Sequence, residues 1–590
     1  MSAHSQRATR AAGLTAAFAG LVLGLMSAGG PDRAAHARQK DDKKDEYPRP
    51  TEKEKLKQTL IGAAACKQCH DTADPTMNDE YKSTLGYEFV RLWENKVWGV
   101  HDLHSTAYKN LLTNRCTEVK DGGDKPNTTA QRMEDNMRRA GVDARYKKQD
   151  YTVSTDTQCL ACHASTKQPA SIAPHKTWTV DSFNPRDGVG CEMCHGHGSL
   201  YRFRHQESHM DKANAPKGAT SIVDWRETDP KIKAEWGLVN LRDAAEATNR
   251  CASCHIGNLD EGRFVTHDMY AAGHPPLPPL DLIAYTREQP RHWGLPSEMP
   301  YLKTLAEKDP KKANAVFHIR ADESHVARRF VESTVATLHS SAVVTGQLAL
   351  DGKEDGLDYA AFDCASCHHN LKYPSDRQDR GYNARPGRPL FRPATFALTR
   401  VVMEHAAEMP GGGDLKASLE ALATVEKNLA VAFTSKSLGD PAKVQAASAE
   451  LSKWSADTLK RLNGVKYTND ETKKLLAKVQ AATQKPVADP EVAQLYTWAF
   501  ETLVLDQTPP AADKKPPAAL EELHKKLKDV VVSRLRPNAA FYYEQGANGG
   551  IPGPTVEPVD TRIGKRMELF NSFKNAPFRQ AFGDVKPFGK

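Results

Sequence analysis

The side chains with the richest chemistry in this 590-residue chain recur in one arrangement, Cys-x-x-Cys-His, which occurs five times. This arrangement is the attachment signature of a c-type haem. The two thiols form thioethers with the porphyrin, and the adjoining imidazole binds the iron from one face. The sequence therefore predicts five haem c groups with their irons as cofactors. The predicted attachment residues are Cys66, Cys69, Cys159, Cys162, Cys191, Cys194, Cys251, Cys254, Cys364 and Cys367. The predicted proximal iron ligands are His70, His163, His195, His255 and His368.

Zinc ribbons and disulfides explain these cysteines less well. A zinc site does not need a histidine directly after its second cysteine, and disulfide frameworks are typical of short secreted chains. The eleventh cysteine, Cys116, stands outside the pattern. It could bridge a dimer or bind iron, and burial as a small apolar side chain is its simplest interpretation.

The opposite face of each iron takes either a second ligand from elsewhere in the fold or a substrate. Thirteen further histidines lie in the same part of the chain, more than the five positions available, so counting alone does not select among them. These candidates are His101, His104, His175, His197, His205, His209, His267, His274, His292, His318, His325, His339 and His369.

The chain that must position these residues begins with an export signal. Arg7 and Arg10 precede an apolar run, and small residues ending at Ala35-His36-Ala37 follow it. This is the pattern of a secretory signal peptide over residues 1–37, which predicts a periplasmic protein. An uncleaved N-terminal anchor is the alternative, and it would associate the protein with the membrane. Residues 38–58 are rich in charge and predict a solvated linker.

The remaining chain divides into two predicted domains of a mainly α protein with long loops. Residues 59–385 form a pentahaem cytochrome c domain, in which short helical pieces alternate with loops. The segment from Asp281 to Pro310, rich in proline and tryptophan, is expected to be a surface excursion. Residues 386–590 contain no cysteine and predict a helical bundle.

Apolar residues at spacings of three and four mark the helices of this bundle. Asp414 is predicted to cap the first helix, and Asp440-Pro441 and Asp489-Pro490 to begin the second and third. A fourth stripe consists of Leu520, Leu523, Leu527 and Val531. These stripes are interpreted as core, not as cofactor contacts.

The formal net charge of +7 gives no support for nucleic-acid binding. Part of this charge lies in the predicted signal peptide, and the ionised propionates of five haems would offset most of the rest.

Three segments, DTQCLACH, GVGCEMCHGHGSLYRFRH and NRCASCH, resemble the second, third and fourth haem sites of the cytochrome c554 family. Members of this family are tetrahaem proteins that receive electrons from hydroxylamine oxidoreductase. The resemblance covers roughly residues 60–280. The fifth site and the helical C-terminal part depart from the family pattern.

The resemblance implies a set of distal ligands. His205 would coordinate the fourth haem, and His104 the third, with His101 in reserve. His274 would coordinate the first haem in preference to His267. The second haem has an open distal face in the family, although His175, His318 and His325 remain candidates here. For the fifth haem, His339 repeats the His-x-x-Ala phrase of His104 and is the predicted ligand.

These features predict a periplasmic electron carrier that exchanges electrons with redox partner proteins. The alternative is an oxidoreductase that acts on a small nitrogen or sulfur compound at one five-coordinate haem. A third possibility is a subunit of a larger respiratory conduit, with the bundle as its docking surface. The electron donor, the electron acceptor and the oligomeric state do not follow from the sequence.

Overall fold

The computed structural model of the chain describes residues 49–55, 59–71, 90–113, 128–140, 151–165, 185–205, 225–352, 356–369, 371–373, 375, 387–487, 489–508, 517–531, 568 and 572–585. The predicted signal peptide, much of the predicted linker, Cys116, His175 and His209 lie outside these residues. Within them the structure is mostly helical and contains no strand, which confirms the predicted fold class. None of the helices in these ranges is long and apolar enough to span a membrane.

The N-terminal half contains many short helices. They are α1 (Glu52–Lys55), α2 (Ala63–His70), α3 (Glu94–His101), α4 (Thr128–Ala140), α5 (Thr157–His163), α6 (Cys191–His195), α7 (Gly198–Tyr201), α8 (Pro230–Glu235), α9 (Ala244–His255), α10 (His267–Ala272), α11 (Leu282–Glu288), α12 (Pro300–Lys308) and α13 (Pro310–Phe317). Short 3₁₀ helices include Leu103–Leu111, Tyr359–Ala361 and Cys364–Ser366.

Most of the helices after residue 324 are longer. They are α14 (His325–Asp351), α15 (Ala394–Glu408), α16 (Gly413–Thr434), α17 (Pro441–Leu462), α18 (Asn469–Thr483), α19 (Pro490–Gln507), α20 (Ala518–Leu527) and α21 (Asn575–Gly583). Helices α17 and α19 begin at the predicted Asp-Pro pairs, and the Asp489 carboxylate accepts the Val492 N–H at 2.8 Å. Helix α16 begins one residue before Asp414, which lies in its first turn instead of capping it.

The largest apolar core lies among these long helices. Its most buried side chains include Phe433, Leu475, Trp498 and Phe500, each with no exposed surface. Helix α14 packs against α17 and also against the haem-motif helix α9. The core therefore includes residues that precede position 386 in the sequence. The domain boundary expected at that position stays a prediction.

One sequence expectation needs correction. The segment from Asp281 to Pro310 is not a surface excursion, because Leu282 and Ala284 on α11 are only 1% exposed and belong to the protein interior. Within the predicted linker, Arg49 and Lys55 form ion pairs with Glu235 of α8 at 2.6 and 3.6 Å, while Glu52 and Lys53 are exposed.

Candidate haem-binding sites

Four of the five Cys-x-x-Cys-His motifs lie at the C-terminal ends of short helices, which end at His70, His163, His195 and His255. The fifth motif begins in the 3₁₀ helix Cys364–Ser366. Aspartates cap three of these turns. Asp156, Asp243 and Asp363 accept backbone N–H groups of the residues two or three positions later. Isolated helices of five to twelve residues have little stability in water. Tertiary contacts, and the expected covalent cofactor, must therefore stabilise them.

Four of the proximal imidazoles face a second imidazole at nearly constant spacing. The ring centres are 6.0 Å apart for His70 and His205, and 6.2 Å for His255 and His104. The ring centres of His195 and His292 are 6.2 Å apart, and those of His368 and His267 are 6.4 Å apart.

This spacing fits a haem iron between the two rings. An imidazole nitrogen binds a first-row metal at about 2 Å, and the ring centre lies roughly 1 Å behind that nitrogen, so two axial rings have centres about 6 Å apart. The His70 and His205 planes are 9° apart at 6.0 Å, so these two rings would leave room for a haem iron between them. The residues present therefore fit bis-imidazole haem c.

The remaining proximal ligand, His163, lies near His274. The Nδ1 atom of His163 donates to the Ala107 carbonyl at 3.0 Å, and Nδ1 of His274 donates to the Pro275 carbonyl at 2.8 Å. Both rings therefore keep the other nitrogen for a metal. Burial, with a smaller effect from neighbouring His163, lowers the pKa of His274 to about 4. The imidazole stays neutral, as a metal ligand must be.

The ring geometry departs from the expected ligand pairing. His205 lies opposite His70 of the first motif and not opposite His255 of the fourth. His104 lies opposite His255 instead of His195 of the third motif. His274 lies near the second motif instead of the first, which His205 faces. Each of these three residues thus lies beside another motif than the resemblance implies, and their role as ligands stays a prediction.

His339 is a further correction. Its Nδ1 atom bonds to the Ser452 carbonyl of α17 at 3.1 Å, and the ring that faces His368 is His267. The phrase His-x-x-Ala therefore did not identify the imidazole that faces the fifth motif. His267 was the second choice for the first haem, and His292 was an open candidate that no sequence signal selected. His318 interacts with Asn240 and Asp243 instead of with a proximal imidazole.

The phrase Gly-x-x-Cys-Glu-x-Cys-His-Gly has a structural explanation. The buried Glu192 carboxylate accepts the N–H groups of Ile61, Gly62 and Gly198 at 2.7 to 3.0 Å. It thus ties the third motif to the residues that precede the first. Gly196 has φ +85°, and a Cβ there would collide with the Gly237 carbonyl. Only glycine fits this position without strain.

The attachment thiols show which motifs are neighbours. The Cys66 and Cys191 thiols are within hydrogen-bonding reach of each other, as are those of Cys162 and Cys254. Cys194 also interacts electrostatically with Cys251. The first motif therefore adjoins the third, the third adjoins the fourth, and the fourth adjoins the second.

Helix α10 connects the second and fifth motifs. It begins with His267, which faces His368, and His274 follows its last residue by two positions. The Tyr270 ring is 5.9 Å from the His274 ring. Tyr270 also hydrogen-bonds to Arg392, whose Nη2 atom lies 3.7 Å from the Cys364 sulfur. The spatial order of the motifs is thus first, third, fourth, second and fifth.

Two of the paired imidazoles bond to carboxylates, of which Asp102 is buried and Glu94 partly buried. Nδ1 of His70 donates to Glu94 Oε2 at 3.1 Å, and Nδ1 of His104 donates to Asp102 Oδ1 at 2.9 Å. Burial by itself would raise the pKa of both carboxyl groups, but the hydrogen bonds from the imidazoles and from nearby backbone N–H groups hold it below its ordinary value. Both groups therefore remain carboxylates at neutral pH.

Comparison with known proteins gave one match. Residues 65–196 match the family model described as cytochrome c554 and c-prime. Neither the curated proteins nor the solved structures gave a match. The matched residues include the first three motifs, so the chain is similar to a c-type cytochrome that carries haem c with iron and takes part in electron transfer.

Proposed function

We propose that this protein conducts electrons through five covalently bound haem c groups, each with two imidazole ligands. The main support for this proposal is the spacing of the imidazoles. The ring centres of four proximal histidines each lie 6.0 to 6.4 Å from the ring centre of a second histidine. The axial pairs that we assign are His70 with His205, His163 with His274, His195 with His292, His255 with His104, and His368 with His267.

When bound, the haems supply reversible electron exchange between ferric and ferrous iron. The protein holds both axial nitrogens in place, so the coordination changes little between the two oxidation states. The hydrogen bonds at Nδ1 fix the ring orientation of His163, His205 and His274 through backbone carbonyls. Such rigid saturated sites favour electron transfer over substrate binding, which needs a vacant position.

Exposure of the thiols supports conduction between two ends. Cys69 of the first motif and Cys367 of the fifth are exposed, whereas the other eight attachment cysteines are partly buried. These two motifs are also the ends of the spatial order. We therefore infer that redox partners meet the first and fifth haems, and that the other three haems connect them.

The protein would work in the periplasm. Thioether attachment to haem takes place on the outer side of the bacterial inner membrane, and residues 1–37 have the composition of an export signal. Fractionation of the producing cells, with N-terminal sequencing of the mature chain, tests both the compartment and the cleavage site.

Electron paramagnetic resonance of the oxidised holoprotein tests the proposed ligand set. Mass spectrometry should first find five haem additions. We then expect only low-spin ferric signals, since each iron has two imidazoles. A high-spin signal that shifts on addition of hydroxylamine, nitrite or nitric oxide would contradict the proposal and favour the oxidoreductase alternative at an open haem.

Single substitutions test the individual pairs. His205→Ala and His274→Ala should each convert one low-spin centre to high-spin while all five haems stay attached. His339→Ala is the matched control, because His339 bonds to Ser452 and faces no proximal imidazole in the described structure. A spin change in the control, or unchanged spectra in the two test variants, would reject the assignment.

A further inference from the structure

Two haem ligands differ from the others in what their second ring nitrogen meets. His70 donates to Glu94 and His104 donates to Asp102, both carboxylates. His163, His205 and His274 donate instead to the uncharged carbonyls of Ala107, Tyr201 and Pro275. On the ligand set proposed above, the first and fourth haems each have one ligand that bonds to a carboxylate, whereas both ligands of the second haem bond to backbone carbonyls.

Each carboxylate is held so that it cannot turn away. Asp102 is only 6% exposed, and the same Oδ1 atom also accepts the backbone N–H of His104 at 3.0 Å. Asp102 is the N-cap of the 3₁₀ helix that carries His104. Glu94 accepts the backbone N–H of Arg91 through its other oxygen. These bonds fix a negative charge beside each imidazole.

A carboxylate acceptor changes the iron through the ring. It draws the Nδ1 proton toward itself, which makes the imidazole a stronger electron donor to the metal. The buried negative charge also stabilises the additional positive charge of ferric iron, and little water is present to screen it. Both effects lower the midpoint potential of the haem.

The same two carboxylates act on the third motif. Both Glu94 and Asp102 interact electrostatically with His292, and Glu94 also interacts with His195. The first, third and fourth motifs therefore share these two negative charges. They are also consecutive in the spatial order, and the second motif follows them.

We propose that Glu94 and Asp102 are positioning residues that set the potentials of the first and fourth haems below that of the second. An electron that enters at the first haem then meets a favourable step between the fourth haem and the second. This inference depends on the proposed electron-transfer function and adds a favourable step within it, from the fourth haem to the second. Only an electron moves, and no bond forms or breaks.

Spectroelectrochemistry of the holoprotein tests the inference, with Glu94→Gln and Asp102→Asn as the variants. Each variant should raise one low-potential component so that its ferric-to-ferrous ratio at fixed potential changes at least tenfold, which corresponds to about 59 mV for one electron. A smaller rise of the third component should accompany both. Asp102→Ser provides a second test that keeps a capping oxygen, in case the asparagine variant does not mature.

Asp156→Asn is the matched control. Asp156 caps α5, which carries His163, and its carboxylate accepts the Gln158 N–H at 2.8 Å instead of an imidazole N–H. Its replacement should move no component by as much as the test variants do. Equal shifts in control and test variants, or no shift in variants that keep five low-spin haems, would overturn the inference while leaving the proposed function intact. A high-spin ferric signal in the unsubstituted protein would instead overturn the proposed function.

Discussion

The long-helix bundle and the haem-motif region of this protein achieve burial in different ways. The bundle has one continuous apolar core of side chains such as Phe433, Trp498 and Phe500. Before about residue 240, the described part of the haem-motif region has smaller apolar clusters, for example the one around Tyr201, Trp225 and Trp236. On the proposed function, porphyrin would supply there the apolar volume that side chains supply in the bundle. We therefore expect the bundle to fold without cofactor and this part of the haem-motif region to need its haems.

The two regions are nevertheless joined by packing. Helix α14 contacts both α17 of the bundle and α9, which carries the fourth motif. Tyr285 on α11 packs between them, with ring centres 4.9 Å from His255 and 6.2 Å from Trp498. The fourth motif thus packs against the bundle, and so does the fifth, where the Asp363 N–H donates to the Leu390 carbonyl.

Loss of all haem should separate the two regions most clearly. Expression without the haem-attachment machinery should leave residues before about 240 open to proteolysis, because porphyrin is missing from their core. Helices α15 to α19 should remain protected. Limited proteolysis with mass spectrometry measures this difference. Equal protection of both regions in the haem-free chain would contradict the comparison.

The next largest effect is expected where the regions meet. Arg287 on α11 forms a 2.7 Å ion pair with Glu501, whose side chain has no exposed surface. Arg287→Ala would remove one of two partners of this buried carboxylate, the other being His524, and should cost up to about 5 kcal/mol in the free energy of unfolding. Denaturant unfolding measures it. Arg400→Ala is the control, since its pair with Glu426 is partly exposed and should contribute about 1 kcal/mol at most.

A cavity in the bundle should lower stability without changing the haems. Leu475 on α18 is fully buried, and Leu475→Ala should cost about 2–5 kcal/mol in the free energy of unfolding. The visible and paramagnetic resonance spectra of the folded protein should stay the same. Val431→Ala, at a side chain that is 53% exposed, should have little effect on stability. Altered haem spectra in the Leu475 variant would show that the regions are more tightly coupled than the packing indicates.

Acid should weaken the bundle through His405. Burial, opposed in part by Glu471, lowers the pKa of this histidine to about 4. An unfolded histidine has a pKa of about 6.5, so the unfolded chain binds the proton first and stability is lost as the pH falls from about 6.5 toward 4. The loss should reach about 3 kcal/mol at most, since one pKa unit corresponds to about 1.4 kcal/mol. Unfolding curves at several pH values should show a smaller loss in His405→Gln, and an equal loss would reject the assignment.

Local sequence patterns predicted the bundle well. Helices α17 and α19 begin at Asp440-Pro441 and Asp489-Pro490, because a capping aspartate and a proline at the first helical position act within a few residues. The same reasoning failed for the segment from Asp281 to Pro310. Its prolines and tryptophans suggested exposure, but α11 and His292 fill space against haem motifs that are distant in sequence.

The amino-acid sequence by itself predicts where haem attaches, because two thiols and one imidazole within five residues satisfy that covalent chemistry locally. It also determined the predominantly helical character, since periodic apolar residues and caps are local signals. Only the tertiary structure decided which second imidazole meets each motif and in what order the motifs lie. His205 and His70 are separated by more than a hundred residues, and no local pattern records that their rings meet. Packing of distant segments brings such rings together, and it also brings Glu94 and Asp102 to the ligands whose electronic character they are proposed to set.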